Sequence, residues 1–197
     1  MRWQIGALTY KFEILTLKRC PFAAPAASNP VKGAICLQDG FKDRLGRMMD
    51  EYGTGLTRLC TLMLRDRDAA RDAVQDAFVK AYKALPGFRG ECSEKTWLTA
   101  IAINVCRDYL RRRRIREVLF DKPPDIPCDA PFADDTVINE VMRLPDRLKS
   151  AVLVRYYENL TLEECARALG ISRSGVKKRL AKAEGLLRDR LKEWYYG

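Results

Sequence analysis

The chain has 197 residues, with 36 basic and 26 acidic side chains, no histidine and a formal net charge of +10 at pH 7. A hydrophobic share of 47% and a charged share of 31% fit a globular protein rather than a disordered or membrane-embedded one, and the positive field favours a polyanionic partner, nucleic acid foremost. The lack of histidine excludes histidine acid–base catalysis, histidine-activated nucleophiles and histidine zinc sites.

The first forty residues interrupt their apolar stretch with Lys11 and Glu13, which a signal-peptide core tolerates badly, and no run reaches the ~18 apolar residues of a membrane span. They are expected to form a poorly ordered extension, 1–40, with Met48 and Met49 offering alternative translational starts. Cys20, Cys36, Cys60, Cys92, Cys106, Cys128 and Cys165 are widely spaced, odd in number and never paired as CxxC. They read as reduced thiols of a cytoplasmic protein, with no metal and no cofactor to hold.

From Phe41 to Arg116 the pattern is helical. Leu56, Leu59, Cys60, Met63 and Leu64 recur at three- and four-residue steps, as one buried face requires. In "RDRDAARDAVQDAFVKAYKAL", Ala73, Ala77 and Ala81 share a line with Val74, Phe78 and Tyr82 beside them as a second apolar row. Asp72, Gln75, Asp76 and Val79 fall on the other side, either as a docking patch for a basic helix or, on the residues alone, as an ordinary solvated face. "PGFRGECS" then breaks the helix, and Ser93 or Glu94 starts another. That next helix carries Trp97, Asn104, Arg107, Arg111 to Arg114 and Arg116. Trp97 suits plain core better than a stacking platform, but the arginine run is a stronger sign, because clustered guanidiniums repel one another unless a polyanion or acids offset them.

Residues 117–140 hold four prolines and carry seven acids against one basic residue, Lys122, with Arg116 just before them, which reads as an acidic, extended linker. A second domain, 141–197, is basic again. Pro145 and Asp146 suit a helix start, Thr161 an N-cap with Glu164 as its reciprocal partner, Gly170 a left-handed C-terminal cap, and Ser172 the cap of the last helix. The expected fold is all-α: two small helical domains joined by that linker.

"TLEECARALGISRSGVKKRLAKA" has the short helix, glycine-containing turn and second helix of a helix-turn-helix. Leu169, Ile171, Val176 and Leu180 can close its core. Opposite Val176 lie Ser174, Lys178, Ala181 and Lys182, with Lys177 at one edge and Arg173 and Arg179 flanking. Such a face suits the major groove and its phosphates; the bland reading is a solvated basic face on a helical hairpin. There is no heptad seam to suggest a dimer.

Taken together, "DAVQDAFVKAYKALPGFRGECSEKTWLTAIAINVCRDYLRRR" and "LPDRLKSAVLVRYYENLTLEECARALGISRSGVKKRLAKAEGLLRDRL" resemble bacterial RNA polymerase sigma factors of the extracytoplasmic-function (ECF) type, over roughly Met49 to Leu191. The resemblance implies that the first block is sigma region 2 and the second region 4. It implies that Asp72, Gln75, Asp76 and Val79 dock on core RNA polymerase. Phe88, Arg89, Ser93, Trp97, Asn104, Arg107, Arg111 and Arg112 would then recognise and melt the minus-ten promoter element. Arg173, Ser174, Lys177, Lys178, Arg179 and Lys182 would read the minus-thirty-five element as duplex. A sigma factor is not itself an enzyme; its partners are core polymerase, promoter DNA and, by the same resemblance, an anti-sigma factor, with no small-molecule substrate and no membrane insertion. The linker either runs through the polymerase as a nucleic-acid mimic or is a solvated tether. Gly175 stands where many relatives carry threonine, and Cys165 replaces a usual bulky aliphatic residue. The rival reading is another helix-turn-helix regulator that acts without core polymerase; a nucleic-acid-processing enzyme is disfavoured by the missing histidine, Walker loop and metal-binding acid pairs.

Overall fold

The computed structural model describes the backbone of residues 35–120 and 136–195 and the side chains of residues 42–115 and 137–192. All regular elements among the described residues are helical, as expected. Helix α1 spans Ile35–Leu64, α2 Arg67–Ala84 and α3 Glu94–Phe120. The second domain holds α4 (Thr136–Met142), α5 (Asp146–Val152), a π-helical turn (Leu153–Tyr157), α6 (Leu162–Leu169) and α7 (Arg173–Tyr195).

In the first domain α1 and α2 turn back on each other at Arg65 and Asp66. Arg65 takes a left-handed conformation (φ 57°), which costs a non-glycine residue conformational energy, and its N–H donates to the Thr61 carbonyl at 2.8 Å. Asp66 caps α2 by accepting from the Asp68 and Ala69 N–H groups, each at 3.0 Å. Ala70, Ala73, Ala77 and Ala81 are all fully buried, a small-residue line against which α1 and α3 pack. Phe78 is buried beside them. The second expected row fades outward, however: Val74 is half-buried and Tyr82 exposed. A 3-10 turn, Leu85–Gly87, ends this helix pair, and Ser93 caps α3 through a 3.2 Å bond from the Thr96 N–H to its hydroxyl.

Helices extend into two of the segments expected to lie outside the domains. The extension 1–40 includes the start of α1, which begins at Ile35, since "ICLQDGFKDRL" continues the helical spacing and contains no proline. The linker 117–140 is encroached on from both sides, because α3 runs to Phe120 before the first proline at 123, and "TVINEVM" forms α4. The rest of the acidic linker, 121–135, and the first 34 residues lie outside the described residues.

In the second domain the local signals operate as anticipated. Thr161 and Glu164 form the reciprocal capping box: the Thr161 N–H donates to the Glu164 carboxylate at 3.0 Å and the Glu164 N–H to the Thr161 hydroxyl at 3.3 Å. Gly170 (φ 66°) ends α6, with its N–H on the Arg167 carbonyl at 3.1 Å and that of Ile171 on Ala166 at 3.0 Å. The Ser172 hydroxyl accepts from the Gly175 N–H at 3.1 Å to start α7. Leu169, Val176, Leu180 and Ala183 are buried between α6 and α7, with Ile171 half-buried at the turn.

Candidate nucleic-acid interface

On α7, Ser174, Lys177, Lys178, Ala181 and Lys182 are exposed and Arg179 is half-buried. This is the face opposite the Val176 core. Gly175 sits where the cap is tight: a Cβ there would stand 3.2 Å from the Ser172 hydroxyl, so the absent side chain leaves the capping bond undisturbed. Arg173 is exposed but paired with Glu163 at 2.8 Å, so a phosphate would have to displace that carboxylate.

The acids of this domain are distributed among specific partners. Glu140 serves Arg143 and Arg190, Asp146 serves Lys149 and Arg114, Glu158 serves Lys95, Glu163 serves Arg173 and Asp189 serves Lys192. Glu164 belongs to the capping box, and Glu184 accepts from the Tyr156 hydroxyl at 2.8 Å. Arg155 and Arg167 donate to the carbonyls of Leu160 and Glu91. Among the described residues this leaves Lys177, Lys178, Arg179, Lys182 and Arg188 on α7, and Arg147 on α5, with no acidic neighbour in ion-pair range. The uncompensated charge is concentrated where a polyanion would lie against α7.

The arginine-bearing helix of the first domain is placed differently. Helix α3 packs along α6, bringing the two domains into direct contact. Lys95 Nζ donates to the Glu158 carbonyl at 2.7 Å and lies 3.4 Å from its carboxylate. The Thr96 and Ser93 hydroxyls donate to Glu164 at 3.1 and 3.4 Å, Arg107 to the Leu169 carbonyl at 3.4 Å, and Arg167 to the Glu91 carbonyl at 2.9 Å. Arg114 pairs with Asp146, and Arg65 donates to the Met142 carbonyl. Lys149 is buried at this junction; burial lowers its pKa, Asp146 opposes that, and the Arg65 and Arg114 charges reinforce it.

Of the residues assigned to the minus-ten element, Arg89, Ser93, Arg111 and Arg112 are exposed or partly so, while Phe88, Asn104 and Arg107 are half-buried. Arg111 also pairs with Asp108 at 3.0 Å, and Arg107 donates to Asn104 at 3.4 Å. Trp97 is 3% exposed and packs on Phe88 with ring centroids 4.8 Å apart; the Arg44 guanidinium lies 5.4 Å from the Phe88 ring centre. In this arrangement the Trp97 ring is covered by Phe88 and its neighbours rather than presented to solvent. Its large apolar surface is used in the core, as the residue pattern alone suggested.

Asp72, Gln75, Asp76 and Val79 lie on one outward face of α2. Asp76 accepts from the Tyr109 hydroxyl of α3 at 3.2 Å, and Tyr109 is pushed up to about 12 by burial and then by the Asp76 charge. Val79 is 52% exposed, and Tyr82, expected in the inward row with Phe78, is 38% exposed and adds an apolar border to the face. No helix among the described residues is long and apolar enough to cross a membrane.

Residues 48–115 match the family described as Sigma-70 region 2, and residues 135–187 match the family described as Sigma-70, region 4. The ECF RNA polymerase sigma-E factor of Haemophilus influenzae is 27% identical over 173 residues, covering 79% of this chain and 91% of that protein. The ECF RNA polymerase sigma factor SigM of Mycobacterium tuberculosis is 32% identical over 142 residues, covering 67% and 69%. Among solved structures, the sigma factor RpoE of Bartonella quintana, in complex with the anti-sigma factor NepR, superposes with a TM-score of 0.63 at 20% identity, covering 78% of this chain and 98% of that one, a likeness of fold.

Proposed function

Because the chain belongs to the ECF-type family of RNA polymerase sigma factors, we propose that it binds core RNA polymerase and directs it to promoters by gripping DNA at two places. The observation that carries this reading is the presence in one chain of two separate polar faces: the Asp72, Gln75, Asp76 and Val79 face of α2 and the uncompensated cationic face of α7. The first suits a basic protein helix and the second a duplex. The polymerase supplies the chemistry, and this chain supplies recognition and strand separation in the cytoplasm.

In this reading α7 enters the major groove of the minus-thirty-five element with Ser174, Lys177, Lys178 and Lys182, while Arg173 and Arg179 hold its phosphates. Residues Phe88 to Arg112 engage the minus-ten element. Ser93 and Arg107, which this reading assigns to the minus-ten element, are engaged by the second domain in the closed arrangement, so that arrangement opens before both elements are held. Opening frees Lys95, Ser93 and Arg107 from their contacts with the second domain. An anti-sigma protein is the expected regulatory partner, in line with the complex of RpoE with the anti-sigma factor NepR.

The test is size-exclusion chromatography of the purified chain with core polymerase. Co-elution as a stable complex supports the assignment. Free elution of a folded chain that binds duplex DNA tightly on its own would favour a helix-turn-helix regulator acting without core.

A further inference from the structure

Arg44 of α1 reaches the loop and helix start that carry Phe88 and Glu94. Its Nε donates to the Glu94 carboxylate at 2.6 Å and its Nη2 lies 2.5 Å from the same oxygen, while the guanidinium carbon stands 5.4 Å from the centre of the Phe88 ring. Phe88 in turn packs on the buried Trp97 ring at 4.8 Å and is tied by its N–H to the Leu85 carbonyl at 3.1 Å. One guanidinium thus joins both ends of the loop 88–93, for Phe88 opens it and Glu94 is the first residue of α3. Between them Arg89 is exposed and Gly90 takes a left-handed conformation (φ 72°). A planar cation can stack on a ring and hold a carboxylate at once. The flanking Ser93, Lys95 and Thr96 turn to the second domain, but these Arg44 contacts lie within the first, so parting the domains breaks none of them. Arg44 also precedes residues 48–115, the stretch that matches Sigma-70 region 2.

We infer that Arg44 is a positioning residue for the minus-ten element: by bracing Phe88 against the start of α3 it holds the loop between them in the shape that presents Arg89 to the separating strand. This rests on the minus-ten reading of the loop and extends it to a residue of α1. Arg44 acts through the loop and not on DNA directly. Its effect falls on strand opening, not on core docking, which belongs to α2, nor on duplex binding, which belongs to α7.

The experiment assembles the full-length chain with core polymerase on a promoter fragment that gives a chain-dependent transcript, and reads strand opening by permanganate oxidation of unpaired thymines. Wild type, Arg44→Ala, Arg44→Lys and Arg89→Ala are compared, with co-elution with core and the melting temperature of the free chain measured beside them. Arg44→Ala is expected to lower permanganate reactivity about tenfold, as the loss of a cation–π contact together with an ion pair would, at unchanged co-elution with core. Arg44→Lys, which keeps a cation between both partners, is expected to recover most of it. Wild-type opening in Arg44→Ala beside reduced opening in Arg89→Ala would overturn the brace and leave the minus-ten reading of the loop standing. The brace is likewise overturned if opening falls only as far as core binding and melting temperature do, since Arg44 would then hold the fold alone. If Arg44→Ala and Arg89→Ala both open the promoter as wild type does, the loop reading fails, and the brace with it.

Discussion

Lys95 at the start of α3 and Glu158 after the π-helical turn form a link between the two domains, with Lys95 Nζ 2.7 Å from the Glu158 carbonyl and 3.4 Å from its carboxylate. Glu158 is 5% exposed, and its carboxylate lies 3.7 Å from where a Cβ on Gly55 of α1 would stand. A carboxylate of the second domain is thus seated against two helices of the first. A charge this buried depends on its partner.

Reversing that charge should therefore open the molecule. Glu158→Lys places two cations at the contact and is expected to raise the radius of gyration measured by small-angle scattering, and the double variant Lys95→Glu/Glu158→Lys to restore it. A wild-type radius in the single variant would show that the apolar contact of α3 with α6 holds the domains closed without this pair.

The α2 face can be tested apart from DNA. Asp76 is exposed and held by Tyr109 at 3.2 Å, so a long cation there inverts the charge of the face without disturbing the alanine line behind it. Asp76→Arg is expected to abolish co-elution with core polymerase while leaving anisotropy binding of duplex DNA unchanged. Equal loss in both assays would indicate misfolding, and retention of both would remove Asp76 from the docking face.

The pH dependence of the capping box has a definite sign. Glu164 has its carboxyl pKa lowered chiefly by the bond from the Thr161 N–H, with the Thr161, Thr96 and Ser93 hydroxyls adding and burial opposing. A carboxyl depressed in the folded state stabilises the fold above its unfolded value, near 4.5, and that contribution is lost as the pH falls through the lower folded value. The melting temperature of wild type should therefore exceed that of Glu164→Gln at neutral pH, with the gap closing below about pH 4.5. A gap independent of pH would assign the effect to hydrogen-bond geometry alone.

The thiols make a fourth prediction. Cys165 is fully buried, donates to the Leu160 carbonyl at 3.5 Å and is pushed up to about 11 by burial. Cys106 is raised far above the ordinary thiol range by its hydrogen bond with Cys60 and by burial. Thiolate is the reactive form, so iodoacetamide at neutral pH should leave Cys60, Cys106 and Cys165 unmodified in the folded protein, and Cys92, which is half-buried, should react before them. Peptide mass spectrometry reads this, and early modification of Cys165 would contradict the packing described for α6.

What was legible in the sequence was what depends on neighbours in the chain. Thr161 with Glu164, Gly170 and Ser172 each fix a helix end by a bond spanning a few residues, so the helix-turn-helix could be drawn residue by residue. The exposed face of α7 followed from the helical angle to Val176. The closure of the domains was not legible, because Lys95 and Glu158 are 63 positions apart and no periodicity links them. Tertiary placement likewise hid the pairing of Arg173 with Glu163 across the turn and the donation of Arg107 to the Leu169 carbonyl. In each case the sequence supplies residues able to interact, and the tertiary packing selects which do.

Transcription in vitro with purified core polymerase tests the central claim most directly. Templates drawn from a library of promoter fragments should yield discrete transcripts with defined start sites only when this chain is added, and Asp76→Arg should abolish them. If the folded wild-type chain binds DNA but produces no start-site-specific transcript from any fragment, the assignment as a promoter-directing subunit is contradicted.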